Sequence, residues 1–296
     1  MIELPLSTSM LMIPRSLSLS AWLGHIPFAS WVIEQLRPAL IVELGTHRGA
    51  SFLAFCQAVE EQRLMSRVFA VDTWEGDEHA GFYGEDIYAE LRAYQQRYYA
   101  GVSEMLRMRF DEALTNFDDG SIDLLHIDGL HTYDAVKEDF ESWRPKLSSR
   151  AVVFFHDTFV REREFGVWRY WEEISQRYPS FEFTHTHGLG VLLVGDERNP
   201  ELMKLVAAAT SKRFAPVNQV FDALGRNIKN LEEIERLYAA LEVERNEIAR
   251  LRLAQEQAQS QAIELQQMKD LMSGISKQLE DQGKKLDRLP RPWWRT

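Results

Sequence analysis

Residues 39–49, ALIVELGTHRG, constrain the fold of this chain more than any other stretch. An apolar run rich in β-branched residues ends at Glu43, Gly45 and Gly49 bracket a tight turn, and residues 51–59 then have helical spacing. The pattern predicts a strand, a glycine turn and a helix, which is how nucleotide-binding α/β domains begin. A helix-packing turn in an unrelated α/β protein is the alternative.

The composition of this turn favours a ligand without phosphates. A pyrophosphate-binding loop uses three glycines to bring its backbone close to the phosphates. Here there are two glycines, and an acidic residue precedes them. A cationic ligand that carries a ribose suits such a loop, and S-adenosylmethionine has both features. We therefore predict cofactor contacts from Glu43, Gly45, Thr46 and Gly49.

A second buried strand, residues 68–72, ends in Asp72. Asp72 follows the glycine turn by about 20 residues, the spacing at which doubly wound folds place an acid that binds the ribose hydroxyls. Trp74 follows in the next loop, where it could stack on adenine or cover the site. A cap or turn acid is the alternative for Asp72. The aromatic segment after Trp74, which includes Tyr83 and Tyr88, is predicted to be either an insert that recognises the acceptor or a helix packed on the sheet.

Four polar residues follow two further predicted strands in the second half of the domain. Asp128 comes directly after SIDLLHI, and His131 lies three residues later. His156 and Asp157 directly follow AVVFF. Because ligands bind at the carboxyl ends of parallel strands, these side chains predict a divalent-metal site or an acid–base group. Helix caps and turns are the alternative.

These motifs resemble those of a known family. The order ELGTHRG, AVDTWEGD, IDGLHTY, FFHDT and HGLGVLLVG is similar to that in class I S-adenosylmethionine-dependent methyltransferases. The resemblance covers residues 20–196 and is strongest to sugar O-methyltransferases of macrolides and aminocoumarins and to cephalosporin-hydroxylase-like proteins. It implies an α/β fold with a Rossmann-like sheet, mostly parallel with an antiparallel last strand.

The resemblance also implies roles for the polar residues. In the family, Asp128 and an acidic pair at 156 and 157 would hold Mg²⁺, and His131 would be the catalytic base. This chain departs from the pattern at His156, and imidazole favours Mn²⁺ or Fe²⁺ over Mg²⁺. We therefore predict Asp128, His156 and Asp157 as metal ligands, with His156 also a candidate second base. Asp128 and Asp111 are further candidate cofactor contacts, although Asp111 also suits a helix start.

Composition limits the class of protein. The chain has 296 residues, one cysteine and a net charge of −11. An acidic protein lacks the basic footprint of nucleic-acid binding, so we expect no nucleic-acid partner. A lone cysteine fits a reducing compartment, and no apolar run has membrane-spanning length. We predict a cytoplasmic protein, or one peripheral to the inner face of the membrane.

The C-terminal third differs from the rest. We predict three segments: a domain at 1–216 with a helical cover at 18–38, a coiled-coil stalk at 217–289, and a basic tail with two tryptophans at 290–296. Three- and four-residue spacing places Leu265, Met268, Met272, Ile275, Leu279, Leu286 and Leu289 on one seam. This seam predicts a homo-oligomer, with a solvated helix or a disordered tail as alternatives. The tail could bind membrane or protein.

Together these features predict an S-adenosylmethionine-dependent O-methyltransferase acting on a sugar hydroxyl, assisted by a divalent metal (Mg²⁺ or Mn²⁺) and a histidine base. The acceptor would be a saccharide, a nucleotide sugar or a polysaccharide end, and a glycosyltransferase or a membrane-associated protein would be a fitting partner. Two other hypotheses remain open at this point. One is a non-catalytic scaffold for the stalk, and the other is a hydroxylase-like oxidoreductase.

Overall fold

The computed structural model describes residues 7–77, 81–82, 84–162 and 164–287. Tyr83, Leu289 and the predicted tail at 290–296 lie outside these residues. Eight helices are described: α1 Ile26–Leu36, α2 Ala50–Glu61, α3 Glu85–Tyr98, α4 Phe110–Ala113, α5 Tyr133–Trp143, α6 Val167–Ile174, α7 Pro200–Ala209 and α8 Phe214–Asp287. The strands are β1 Leu40–Leu44, β2 Arg67–Asp72, β3 Gly76–Asp77, β4 Gly81–Phe82, β5 Ser103–Arg107, β6 Ile122–Ile127, β7 Leu147–His156, β8 Ser180–Phe183 and β9 Leu189–Leu193.

Seven strands form one sheet in the order β5-β2-β1-β6-β7-β9-β8. Strands β5, β2, β1, β6 and β7 are parallel, and β9 runs antiparallel between β7 and β8. The predicted Rossmann-like sheet with an antiparallel last strand is confirmed. This order brings the carboxyl ends of β1, β2, β6 and β7 to one edge, which is where α/β folds bind ligands.

Alternate residues of each central strand enter two separate cores, as the period of a strand requires. Ile41, Val68 and Leu124 pack under α1 and α2. Val42 and Leu125 face α5 and α6 on the other side. Near-continuous apolar strands such as these are typical of a parallel sheet covered on both faces.

The predicted N-terminal cover begins later as an α-helix than we expected. A short 3₁₀ helix spans Ala21–His25, and α1 starts only at Ile26 with Pro27 in its first turn. Ser20 caps the 3₁₀ helix by accepting a hydrogen bond from the backbone N–H of Trp22. Residues 18–20, at the start of the predicted cover, are therefore not helical. They nevertheless lie at the site, as described below.

The chain divides into two compact units, Met1–Glu233 and Ile234–Thr296. This division after Glu233 lies beyond the predicted boundary at 216, because the first turns of α8 bury apolar side chains in the first unit. Phe221 is fully buried and lies 5.2 Å from the ring of Phe28, and Ile228 is also buried. Among the helices of the described residues, none is both long and apolar enough to span a membrane.

Candidate active site

The glycine turn after β1 interlocks with the loop after β6. Gly45 has φ +88°, and a Cβ atom added there would lie 2.1 Å from the carbonyl oxygen of Asp128. The backbone N–H of Asp128 in turn donates to Leu44 O at 2.8 Å. A residue with a side chain at 45 would meet both an unfavourable φ and the Asp128 backbone, so glycine is required.

The carboxylate of Asp72 organises this turn. Oδ2 accepts hydrogen bonds from the backbone N–H groups of Thr46, at 2.7 Å, and His47, at 2.9 Å. Oδ1 accepts from the N–H of Trp74 at 2.8 Å. Asp72 also lines the cavity described below, where a ligand could reach it. Its contact with a ribose remains a prediction. The structure adds a second role for Asp72, which is to hold the loop amides.

Two predicted cofactor contacts lie behind the turn and away from the cavity wall. Trp74 is 1% exposed, packs on Tyr88 and donates from Nε1 to the carbonyl of His47. Glu43 is fully buried and lies 2.9 Å from Nδ1 of His126. Strand alternation turns Glu43 toward the helices that cover β1. Neither side chain lines the cavity, and their predicted contact with the cofactor remains a prediction.

A cavity of about 520 Å³ opens at the sheet edge. Its wall combines the predicted cofactor turn, the ends of β2 and β6, the loop after β5 and one face of α5. The N-terminal segment closes one side through Ser18, Leu19 and Ser20. The lining residues that matter below are Gly45, Thr46, Asp72, Phe110, Asp111, Asp128, Gly129, His131 and Asp139.

The four predicted polar residues meet at one end of this cavity. His131 Nε2 lies 2.9 Å from Asp157 Oδ2 and 3.5 Å from Asp128 Oδ1. His156 Nδ1 lies 3.0 Å from Asp128 Oδ1 and 3.4 Å from Asp157 Oδ1. We call these two carboxylates and two imidazoles the quartet. Asp128 and His131 line the cavity, whereas His156 and Asp157 are buried behind them.

The quartet is balanced in charge. Burial alone lowers the pKa of each imidazole, but the neighbouring carboxylates raise the pKa of His131 to about 10 and that of His156 to about 9. Burial raises the pKa of Asp128 and Asp157, but the imidazoles, His156 foremost, hold both well below the usual range. Two imidazolium ions therefore neutralise two carboxylates at neutral pH when no metal is bound.

The donor atoms of Asp128, His131 and Asp157 lie within 4.8 Å of one another, close enough to hold one metal ion. Two carboxylate oxygens and one imidazole nitrogen suit Mn²⁺ or Fe²⁺ better than Mg²⁺. The predicted set contained His156 in place of His131. Because Nδ1 of His156 also faces both carboxylates, His156 stays a prediction as a ligand. Its Nε2 is buried and accepts or donates no hydrogen bond among the described residues.

Comparison with known proteins agrees with this geometry. Residues 42–158, which hold the cofactor turn and the whole quartet, match a family described as a methyltransferase domain. The match makes up less than half of the chain and states what these residues are similar to. A protein of Sinorhizobium fredii, described as uncharacterized protein y4gI, is 54% identical over 191 residues, which are 64% of this chain. The chain spans only 21% of the length of that relative.

Two solved structures illustrate more distant similarities of this chain. The O-methyltransferase TomG of Streptomyces achromogenes, in complex with S-adenosylmethionine, is 18% identical, with a TM-score of 0.45 over 61% of this chain and 83% of its own. The calicheamicin methyltransferase CalS11 is 16% identical, with a TM-score of 0.47 over 58% and 79%. Similarity at this level says nothing about the acceptor.

The sequence did not indicate one residue that lies beside the quartet. His187 Nδ1 lies 3.1 Å from Asp157 Oδ1, and the side chain is 59% exposed. His187 belongs to the turn before β9, where Thr186, His187 and Gly188 all have positive φ. The register that pairs Leu189 with His156 brings this turn to the end of β7. The predicted antiparallel pairing of the last strand could have indicated His187, because it brings the turn before β9 to the end of β7.

Asp111 lines the cavity as its predicted contact with the cofactor requires, but it is already paired with Arg109. The guanidinium of Arg109 lies 3.0 Å from Asp111 Oδ1, and this hydrogen bond lowers the pKa of the Asp111 carboxyl. Both side chains are exposed, so the pair is weak. The role of Asp111 toward a cofactor remains a prediction.

Proposed function

We propose that the protein is an S-adenosylmethionine-dependent O-methyltransferase whose acceptor is a sugar hydroxyl. One observation carries the proposal. A single cavity is lined both by the glycine turn and by Asp128 and His131. A cofactor held by the turn and an acceptor held by the quartet would therefore meet in the same space, as in-line methyl transfer requires.

The turn supplies the features that this cofactor needs. Gly45 lets the chain pass close to Asp128, and Asp72 fixes the backbone at Thr46 and His47. Carboxylates near the turn favour the cationic sulfonium, and the absence of a third glycine disfavours a pyrophosphate. These points support S-adenosylmethionine over a dinucleotide.

We further propose that Asp128 and Asp157 hold a divalent cation, with Mn²⁺ favoured by Nδ1 of His156, which also faces both carboxylates. When bound there, such a cation would orient vicinal sugar hydroxyls and stabilise the alkoxide that develops on one of them. Sugar hydroxyls are weak acids, so this chemistry supports a saccharide acceptor. The fit rests on the donor atoms that converge within 4.8 Å.

His131 is the base in this proposal. Its Nε2 faces both carboxylates, so the hydroxyl whose proton it accepts has to lie between them. In the metal-free site His131 already carries a proton, because the carboxylates raise its pKa to about 10. Added positive charge between the carboxylates would lower that pKa and free the imidazole to accept a proton.

The last helix supports a proposal about assembly. Leu265, Met268, Met272 and Ile275 are 48% to 69% exposed in the second unit, although all are apolar. A row of this kind at heptad spacing is stabilised by a partner helix. We infer that the chain forms a homo-oligomer through this seam. A glycosyltransferase partner and a location at the inner face of the membrane stay further proposals.

The test combines binding and turnover. Calorimetry should show that S-adenosylhomocysteine binds the full-length protein. Mass spectrometry of a panel of sugars and nucleotide sugars, incubated with S-adenosylmethionine and Mn²⁺, should show a product heavier by one methylene group. Binding without methylation of any sugar would reject the acceptor class. No binding would favour a scaffold, and a product heavier by one oxygen with Fe²⁺ and O₂ would favour the hydroxylase-like oxidoreductase.

A further inference from the structure

Asp139 occupies the wall of the cavity on α5, and the mechanism above does not use it. Ala135, Asp139 and Ser142 lie on one face of this helix, at intervals of four and three residues, and all three line the cavity. At Gly129, an added Cβ atom would lie 2.5 Å from the ring of Phe110 and 3.4 Å from Asp139 Oδ2. An aromatic ring and a carboxyl group therefore converge at one point of the wall.

The carboxyl group of Asp139 lacks a protein partner. Among the described residues, none forms a hydrogen bond or an ion pair with this carboxyl group, and the residue is partly buried. Burial, with a smaller contribution from the charge of Glu138, raises the pKa of Asp139 to about 7. A partly buried carboxyl that lines a cavity and has no protein partner is available to bind a ligand there. Near neutral pH the protonated form has both an O–H donor and a carbonyl acceptor.

The position of Asp139 relative to the cofactor follows from the backbone. The N–H of Met108 donates to Asp72 O at 3.1 Å, so the loop that carries Phe110 continues directly beside the predicted ribose site. In the proposed function the sulfonium end lies at Gly45 and Asp128, next to the quartet. The base of the cofactor then extends from the ribose toward Phe110 and Asp139.

Adenine presents a pair of groups that matches a neutral carboxyl. The 6-amino group is a donor, and the adjacent ring nitrogen, N7 or N1, is an acceptor. An ionised carboxylate could only accept, whereas a protonated one complements both groups. Phe110 supplies an aromatic ring close to the same point.

We propose that Asp139 is a specificity-determining residue that binds the adenine edge of the cofactor, accepting from the 6-amino group and donating to a ring nitrogen. This inference rests on the proposed use of S-adenosylmethionine. Asp139 differs from Asp111, which is exposed and paired with Arg109.

The experiment measures the affinity of the full-length protein for two ligands by calorimetry. They are S-adenosylhomocysteine and its analogue with hydrogen in place of the 6-amino group. The wild type should prefer S-adenosylhomocysteine by about tenfold. Asp139→Ala should weaken binding of S-adenosylhomocysteine by about 10- to 100-fold and reduce the preference to about twofold. Asp139→Asn should keep both, because an amide also offers a donor and an acceptor.

Glu141→Ala is the matched control, since Glu141 lies on the same helix outside the cavity wall and pairs with Arg144, and it should leave both affinities unchanged. A wild type that binds both ligands equally, or an Asp139→Ala protein that discriminates as the wild type does, would overturn the role of Asp139 alone. The comparison of ligands on the wild type decides this even where a variant fails to fold. Failure of the wild type to bind either ligand would overturn the proposed function together with this inference.

Discussion

His131 and Asp157 form the shortest contact of the quartet, with 2.9 Å between Nε2 and Oδ2. The two residues come from the ends of different strands, β6 and β7, and the contact joins a cavity-lining imidazole to a buried carboxylate. It fixes the direction in which His131 points. It also makes the charge of the imidazole depend on whatever else occupies the space between the carboxylates.

We expect the metal-free protein to lose stability at alkaline pH. The folded-state pKa values of His131, about 10, and His156, about 9, lie above the unfolded value near 6.5. Their contribution is fully present below about pH 6.5 and is lost as pH rises through 9 to 10. Thermal melts in chelator from pH 6 to 10 measure this, and His131→Gln should flatten the decline. Parallel curves for variant and wild type would contradict it.

Removal of the base should reduce turnover without loss of cofactor. His131→Ala should lower kcat by about 10²–10⁴-fold, because a positioned base contributes that much. Affinity for S-adenosylhomocysteine should stay near the wild-type value, since His131 faces the acceptor side. His187→Ala, which alters the other contact of Asp157, is the comparison. Near-wild-type turnover in His131→Ala would refute the assignment.

Asp157→Asn should make activity depend on a higher concentration of Mn²⁺. The substitution removes one of two anionic donors and keeps the shape of the side chain. The measurement is a titration of Mn²⁺ against initial rate after treatment with chelator. Activity that survives chelator in the wild type would reject the metal.

Asp72→Ala should weaken binding of S-adenosylhomocysteine by one to two orders of magnitude or more. Each hydrogen bond to a charged group contributes about 1.5–3 kcal/mol, and Asp72 already holds three backbone amides of the loop. Asp72→Asn keeps an acceptor and should retain more of the affinity. Calorimetry of both variants tests this, and an unchanged dissociation constant for Asp72→Ala would remove Asp72 from the binding site.

The second unit should control assembly. Light scattering at micromolar concentration should show an oligomer for the full-length protein and a monomer for residues 1–233. The cut belongs after Glu233 because Phe221 and Ile228 are buried in the first unit. Leu265→Lys combined with Met272→Lys should also give a monomer, whereas the matched Gln266→Lys should not. A monomeric full-length chain would end this proposal.

The edge of the sheet that holds the site could be predicted because the apolar run of each central strand ends at a polar residue. Apolar runs ended at Asp72, Asp128 and His156, and parallel neighbours must then share an edge. The run before Glu43 also predicted its strand. The direction of the Glu43 side chain depends on which face α2 covers, and a strand buried on both faces gives no alternation to reveal it.

Contacts that depend on tertiary register escaped sequence reasoning. His187 comes to Asp157 only because β9 pairs with β7 in one register. Trp74 packs on Tyr88, a contact that depends on where α3 docks. The division into compact units falls after Glu233 rather than at the predicted 216, and a continuous helix gives no local mark where burial ends.

The absent side chain of Gly45 has a consequence for how this site could change. The backbone of Asp128 fills the space that a Cβ atom at residue 45 would take. The cofactor turn and the loop after β6 are therefore packed directly against each other. Neither loop can be displaced, lengthened or redesigned alone without shifting the other. Laboratory evolution of a new acceptor preference should therefore accumulate changes in the N-terminal segment, the β9 turn and the segment after β2, and leave these two loops untouched.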